Sequence, residues 1–117
     1  MIAPTAVAGL VWRDGEIALA QAAAAGIPFC VSTQSITAIE RIAAESGAQL
    51  WFQLYVWKSR QRTLALIDRA WAAGAETLVL FVDTAVGPNR EYNQSNAFSI
   101  PLKPSLRGGI DLIRHLR

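Results

Sequence analysis

Apolar residues recur along this chain in two patterns. Three stretches read as helices. Residues 15–25, G-E-I-A-L-A-Q-A-A-A-A, are nearly all good helix formers and run into Gly26, a residue suited to the left-handed turn that ends a helix. Over residues 37–46, Ile36, Ile39, Ile42 and Ala43 fall on one face, Glu40, Arg41 and Glu45 fall away from it, and Ser35 or Thr37 stands where a cap is needed. Over residues 60–73, Leu64, Ile67, Ala70 and Trp71 share a face and Gly74 follows. Between these lie short, unbroken apolar runs at 28–31, 50–56 and 77–82, rich in Val, Leu and aromatic residues. Such runs fit strands buried on both faces, as in a parallel sheet. Residues 2–6 form a weaker strand of the same kind.

The predicted elements alternate strand and helix with a repeat of roughly 25 residues, the spacing of β/α units. Pattern alone leaves two architectures open, a doubly wound open sheet and part of a closed barrel. Both bind ligands at the carboxyl ends of their strands. Polar groups stand there: Pro4-Thr5-Ala6, Ser32-Thr33, Gln53 with Tyr55, and Asp83-Thr84. No G-x-G-x-x-G and no P-loop follows a strand, which counts against an ordinary nucleotide-binding sheet.

Composition narrows the classes. With 117 residues, 52% hydrophobic and 17% charged, the chain is at most one globular domain. A net charge of +2, from 11 basic and 9 acidic residues, is too balanced to argue for nucleic acid. The excess sits in the tail, where Lys103, Arg107, Arg114 and Arg117 face Asp111 alone. Cys30 is the single cysteine and lies in an apolar run, so it is expected to be a buried, inert thiol, without disulfide or metal. No apolar run reaches the ~18–20 residues that span a bilayer. Met1 leads into Ile2-Ala3-Pro4 without a basic leader, and the cytoplasm is the expected compartment.

Four stretches, taken together and in order, resemble the FMN-dependent 2-hydroxy acid oxidases and dehydrogenases, the family of glycolate oxidase, lactate oxidase and dehydrogenase, and mandelate dehydrogenase. They are A-P-T-A followed by D-G-E; G-I-P-F-C-V-S-T-Q-S followed by I-E; W-F-Q-L-Y-V; and V-D-T followed by R-E and N-A-F. The resemblance implies a partial (β/α)8 TIM barrel: about the first four β/α units, roughly half a barrel, over residues 1–101. A loop and an amphipathic tail would follow at 102–117, from the insertion after the fourth strand. It implies FMN at the barrel mouth, with Pro4, Thr5 and Ala6 along the flavin ring and Ser32 and Gln53 hydrogen-bonding it. Tyr55 and Arg90 would face the substrate. These types suit the chemistry, because donors near the pyrimidine edge stabilise charge developing on reduced flavin and a carboxylate favours a guanidinium fork.

The residues also have plainer readings. Tyr55 also reads as a core aromatic, Gln53 as a polar residue bonded to backbone, Ser32 and Thr33 as caps of the second helix, and Arg90 with Glu91 as a solvated pair. Trp51, Trp57 and Trp71 read as core or helix packing. Against the family pattern, Phe81 stands where Thr is usual, Gly87-Pro88-Asn89 shifts the usual glycine, Asn93 replaces an aspartate and Ser95 an arginine.

The catalytic histidine, the substrate arginine beside it, the flavin lysine and the phosphate-binding residues of the family have no match in this chain. His115 lies in the tail, outside any matching motif. The expected parent oxidises a lactate- or mandelate-like 2-hydroxy acid to a 2-oxo acid and passes electrons to oxygen, a quinone or a cytochrome, as a homo-oligomer. The alternatives are a non-catalytic half-barrel that self-associates through its open strand edge, and a different phosphate-ligand barrel. In the tail, Leu106, Ile110, Ile113 and Leu116 recur at helical spacing beside basic residues. That stretch reads either as a surface helix or as a peripheral contact with the inner face of the membrane.

Overall fold

The computed structural model describes residues 1–82 of the chain. They form, in order, α1 (Ala8–Val11), α2 (Gly15–Ala23), β1 (Phe29–Ser32), α3 (Ile39–Ser46), β2 (Leu50–Tyr55), α4 (Arg60–Ala72) and β3 (Thr77–Phe81). The three strands make one parallel sheet in the order β1-β2-β3. Ile2 adds a parallel bridge to Phe29 on the far side of β1: its N–H donates to Pro28 O at 2.9 Å, and Cys30 N–H donates to its carbonyl at 3.1 Å. Spatial order therefore follows chain order from Ile2 to β3. A doubly wound sheet reverses its order to put helices on both faces; this one does not.

Alternation along the strands separates two faces. Phe29, Val31, Leu50, Phe52 and Leu54 join Ile17, Ala20 and Ala23 of α2, Ile39 and Ile42 of α3 and Ala70 of α4 in a single buried core. Each large side chain buried this way contributes about 1.5–3 kcal/mol. The opposite face carries Cys30, Ser32, Trp51, Gln53, Tyr55, Thr77, Val79 and Phe81. In register, Ser32 stands beside Gln53, Gln53 beside Val79, and Tyr55 beside Phe81.

Several expectations are corrected. Residues 2–6 supply one bridge and no strand, because Pro4 has no N–H to donate and the chain turns into α1, a helix the pattern did not predict. β3 is not buried on both faces: Leu78 and Leu80, on its helix side, are 45% and 52% exposed. Among the described residues no helix follows β3 to cover them. Neither Ser35 nor Thr37 caps α3, which starts at Ile39 after Ala38 with no side-chain cap. In α4 the inward stripe is Thr63, Leu66, Ile67 and Ala70. Leu64 and Trp71 lie off it, 49% and 71% exposed, and Trp57 is 43% exposed, so the packing role expected of Trp57 and Trp71 is not met. Gly47 at φ 63° and Gly74 at φ 90° end α3 and α4 in conformations that disfavour any Cβ. No helix among the described residues is long and apolar enough to cross a membrane.

Candidate functional site

Parallel strands present all their carboxyl ends along one edge, and there the strand-end residues meet. Gln53 is 1% exposed and Ser32 6% exposed. The Ser32 hydroxyl donates to Gln53 Oε1 at 3.2 Å and accepts from Gln34 N–H at 3.1 Å. Thr33 N–H also points at Gln53 Oε1, at 3.4 Å, while making its main bond to the Gln53 carbonyl at 3.0 Å. Two donors converge on Oε1, which fixes the amide with its Nε2 turned away from them.

That Nε2 is buried and has no partner among the described residues; the indole Nε1 of Trp51, two positions earlier on the same face, is in the same state. A buried donor without an acceptor is costly, and a native fold keeps one where a ligand or another group completes it.

Thr33 locks the level above. Its hydroxyl donates to the Gln53 carbonyl at 2.5 Å and accepts from Tyr55 N–H at 3.0 Å, bridging β1 to β2 at their carboxyl ends. Ser32 and Thr33 thus tie the strands together and do not cap α3. The Tyr55 ring meets Phe81 edge-on, centroids 5.5 Å apart at 80°. Phe81 thus stands beside Tyr55 as a ring that orients it.

Pro4 and Ala6 are partly buried and Thr5 is exposed. The backbone after them is held to the β1 loop by Val7 N–H donating to Gln34 O at 3.2 Å. Val7 itself sits at φ 49°, a left-handed conformation that costs a β-branched residue about 1–3 kcal/mol. Thr5 and Ala6 also line an apolar hollow of about 350 Å³ against α1 and α2. A second hollow, of about 300 Å³, opens on the helix side of Ser32 and Thr33. Neither is lined by Gln53 or Tyr55, so neither is the site traced here. Cys30 is fully buried, and burial pushes its thiol up, in keeping with the inert role expected. Among the described residues no cluster of His, Cys, Asp or Glu could hold a metal ion. Arg90, Asp83, Thr84, Asn93, Ser95 and the basic tail lie outside the described residues.

The model of the FMN-dependent dehydrogenase family matches residues 1–117. The chain belongs to this family. It is 42% identical over 118 residues to (S)-mandelate dehydrogenase of Pseudomonas putida, a match covering 100% of this chain and 30% of that protein. It is 43% identical over 97 residues to L-lactate dehydrogenase of Xanthobacter autotrophicus, covering 82% and 25%. The crystal structure of monotopic membrane protein (S)-mandelate dehydrogenase superposes with a TM-score of 0.82 at 40% identity, over 97% of this chain and 33% of that one. The chain therefore spans 25–30% of the length of these curated relatives.

FMN is the family's cofactor. The residues present fit it, because an unpartnered amide N–H at the strand ends is the donor that the acceptor-rich edge of a flavin requires. Thr33 is a contributor the sequence does not single out: there it reads as a strand-end polar residue or a helix cap, and only the assembled sheet brings its hydroxyl between β1 and β2.

Proposed function

We propose that this chain is the part of an FMN-dependent 2-hydroxy acid dehydrogenase or oxidase that carries the inner edge of the flavin site and one face of the substrate site. Residues 1–101 would make about the first four β/α units of its (β/α)8 barrel and residues 102–117 the following insertion. The observation that carries the reading is the buried, unpartnered Nε2 of Gln53, aimed by Ser32 and Thr33 and flanked by Tyr55.

In this reading Gln53 donates to the flavin's polar edge and Ser32 holds Gln53 in the donating orientation. The small side chains at Pro4 to Ala6 allow close approach of the ring. Tyr55 presents its hydroxyl to the substrate, with its ring set by Phe81, and Arg90 pairs with the substrate carboxylate. FMN, when bound, supplies the two-electron acceptor for the hydride equivalent leaving the hydroxy-bearing carbon. The hydroxyl proton needs a base, and none of the residues matched here is one. Substrates would be small 2-hydroxy acids of the lactate or mandelate kind. Electrons would pass on to oxygen, a quinone or a cytochrome, in a homo-oligomeric parent at the cytoplasm or the inner face of the membrane.

The test is FMN titration of the full chain, read by quenching of flavin fluorescence. Replacing Gln53→Ala should weaken binding by about tenfold, the equivalent of one hydrogen bond. Equal affinity in both chains removes Gln53 from the site.

A second reading, a non-catalytic piece that self-associates, is favoured by the exposure of Leu78 and Leu80 on β3. Both readings expect no turnover of lactate, glycolate or mandelate by the chain alone. Dye reduction above the free-FMN background would show that a base had been overlooked.

A further inference from the structure

One buried charge takes no part in the site above. Glu16, in the first turn of α2, is 1% exposed. Its Oε2 accepts from the Thr37 hydroxyl at 2.9 Å, and its Oε1 accepts from Ile36 N–H at 3.4 Å. Gly9 of α1 lies against the same carboxylate. Gly9 leaves room for this approach, since a Cβ there would lie 3.0 Å from Glu16 Oε2 and 2.8 Å from Ile36 Cδ1, and those side chains would have to shift. Among the described residues no cation pairs with Glu16; Arg41, the basic residue of α3, is committed to Asp14 and Glu45.

A buried carboxylate without a counter-ion is a poor device for stability alone, because an apolar residue of similar volume would avoid its desolvation. What the carboxylate offers in return is direction. From α2 the carboxylate reaches two other segments: it accepts two hydrogen bonds from the loop between β1 and α3 and abuts Gly9 of α1. Both flank the strand ends: Gly9 follows Pro4–Ala6, and Ile36 and Thr37 follow Ser32–Thr33. The backbone bond from Val7 to Gln34 joins the same two segments from the other side.

We propose that Glu16 is a positioning residue for the mouth of the site: its carboxylate clasps the segment after Pro4–Ala6 to the loop after Ser32–Thr33 and so sets the spacing of the two loops. The role in the site rests on the flavin reading above; the clasp does not. Two variants of the full chain test it, Glu16→Gln, which turns one acceptor into a donor facing donors, and the milder Thr37→Val, which keeps the carboxylate and removes one partner.

Residue-resolved amide hydrogen exchange should quicken about tenfold or more at Gly9 and Ile36, with β2 and α4 unchanged. FMN affinity should fall about tenfold in the same variants. A merely structural residue would instead lower the melting temperature and quicken all amides together, and that outcome overturns the proposal. So does local quickening with FMN affinity equal to that of the unsubstituted chain. Failure of all three chains to bind FMN removes the flavin reading, and the exchange pattern then decides the clasp alone. If Glu16→Gln does not fold, Thr37→Val carries the same comparison.

Discussion

Gln53 shows how far one residue could be read in advance. A lone amide within W-F-Q-L-Y had to find partners in a buried strand, and that much followed from the sequence. Which partners it found depends on the register that sets Ser32 beside it, and register is a property of the assembled sheet. The same dependence hid Thr33, whose hydroxyl matters only because β2 lies at its side. Replacing Gln53→Leu strands the Ser32 hydroxyl and weakens the hold on Thr33, but it also removes the unpartnered Nε2, so without FMN it should cost less than about 1 kcal/mol. Urea unfolding monitored by tryptophan fluorescence measures this. A loss above about 3 kcal/mol would mean that Nε2 has a partner in the fold that Leu cannot replace.

At the scale of elements, helix and strand positions were legible to within two residues at most ends, because composition and terminating glycines act locally. Capping residues were less so. Ser35 and Thr37 looked like caps, yet Ser35 Oγ donates to Thr37 O at 2.9 Å and the Thr37 hydroxyl goes to Glu16. The Thr37 hydroxyl donates to a tertiary acceptor and receives no N–H of the first turn, leaving α3 uncapped behind Ala38. α4 is the contrast. Ser59 Oγ accepts from Arg62 N–H, and buried Thr63 donates to Ser59 O while accepting from Trp57 N–H, so the turn out of β2 is doubly fixed. Ser59→Ala should destabilise the chain by about 1 kcal/mol, and Ala38→Asp, at a residue already in extended backbone, should stabilise it by a comparable amount. The pair is measured by shifts in the urea midpoint at constant slope. An Ala38→Asp chain no more stable than its parent would show that the α3 start is set wholly by the Glu16 clasp.

At the scale of the whole described unit, the sequence pattern fixed alternation and parallel strands but not which helix faces are covered. Trp71, Leu78 and Leu80 follow apolar patterns as clean as those of buried residues, yet they stand exposed. Periodicity records which face is apolar and says nothing of whether a neighbour arrives to cover it.

The charges at this scale yield a directional test. Burial by itself would raise the Glu16 carboxyl, but hydrogen bonds from its own backbone N–H, the Thr37 hydroxyl, Gly9 and Ile36 outweigh it and hold the group below its ordinary value of 4.5. Glu40 is lowered too, by the Arg69 guanidinium that bonds it at 2.8 Å, but this pair is half exposed and screened by salt. A carboxyl lowered in the folded state binds its proton more readily when unfolded. Its contribution is complete above 4.5 and is lost as pH falls through the lower, folded value. Stability should hold level from about pH 7 to about pH 5 and then decline. In Glu16→Gln the whole curve should lie lower and its decline be shallower, because one of the groups that takes up a proton on unfolding is gone. High salt should flatten the Glu40 share and leave the Glu16 share, which is buried. Parallel curves for the two chains across that acid range would mean that Glu16 takes up its proton at the same pH folded and unfolded, so that its hydrogen bonds favour neither form.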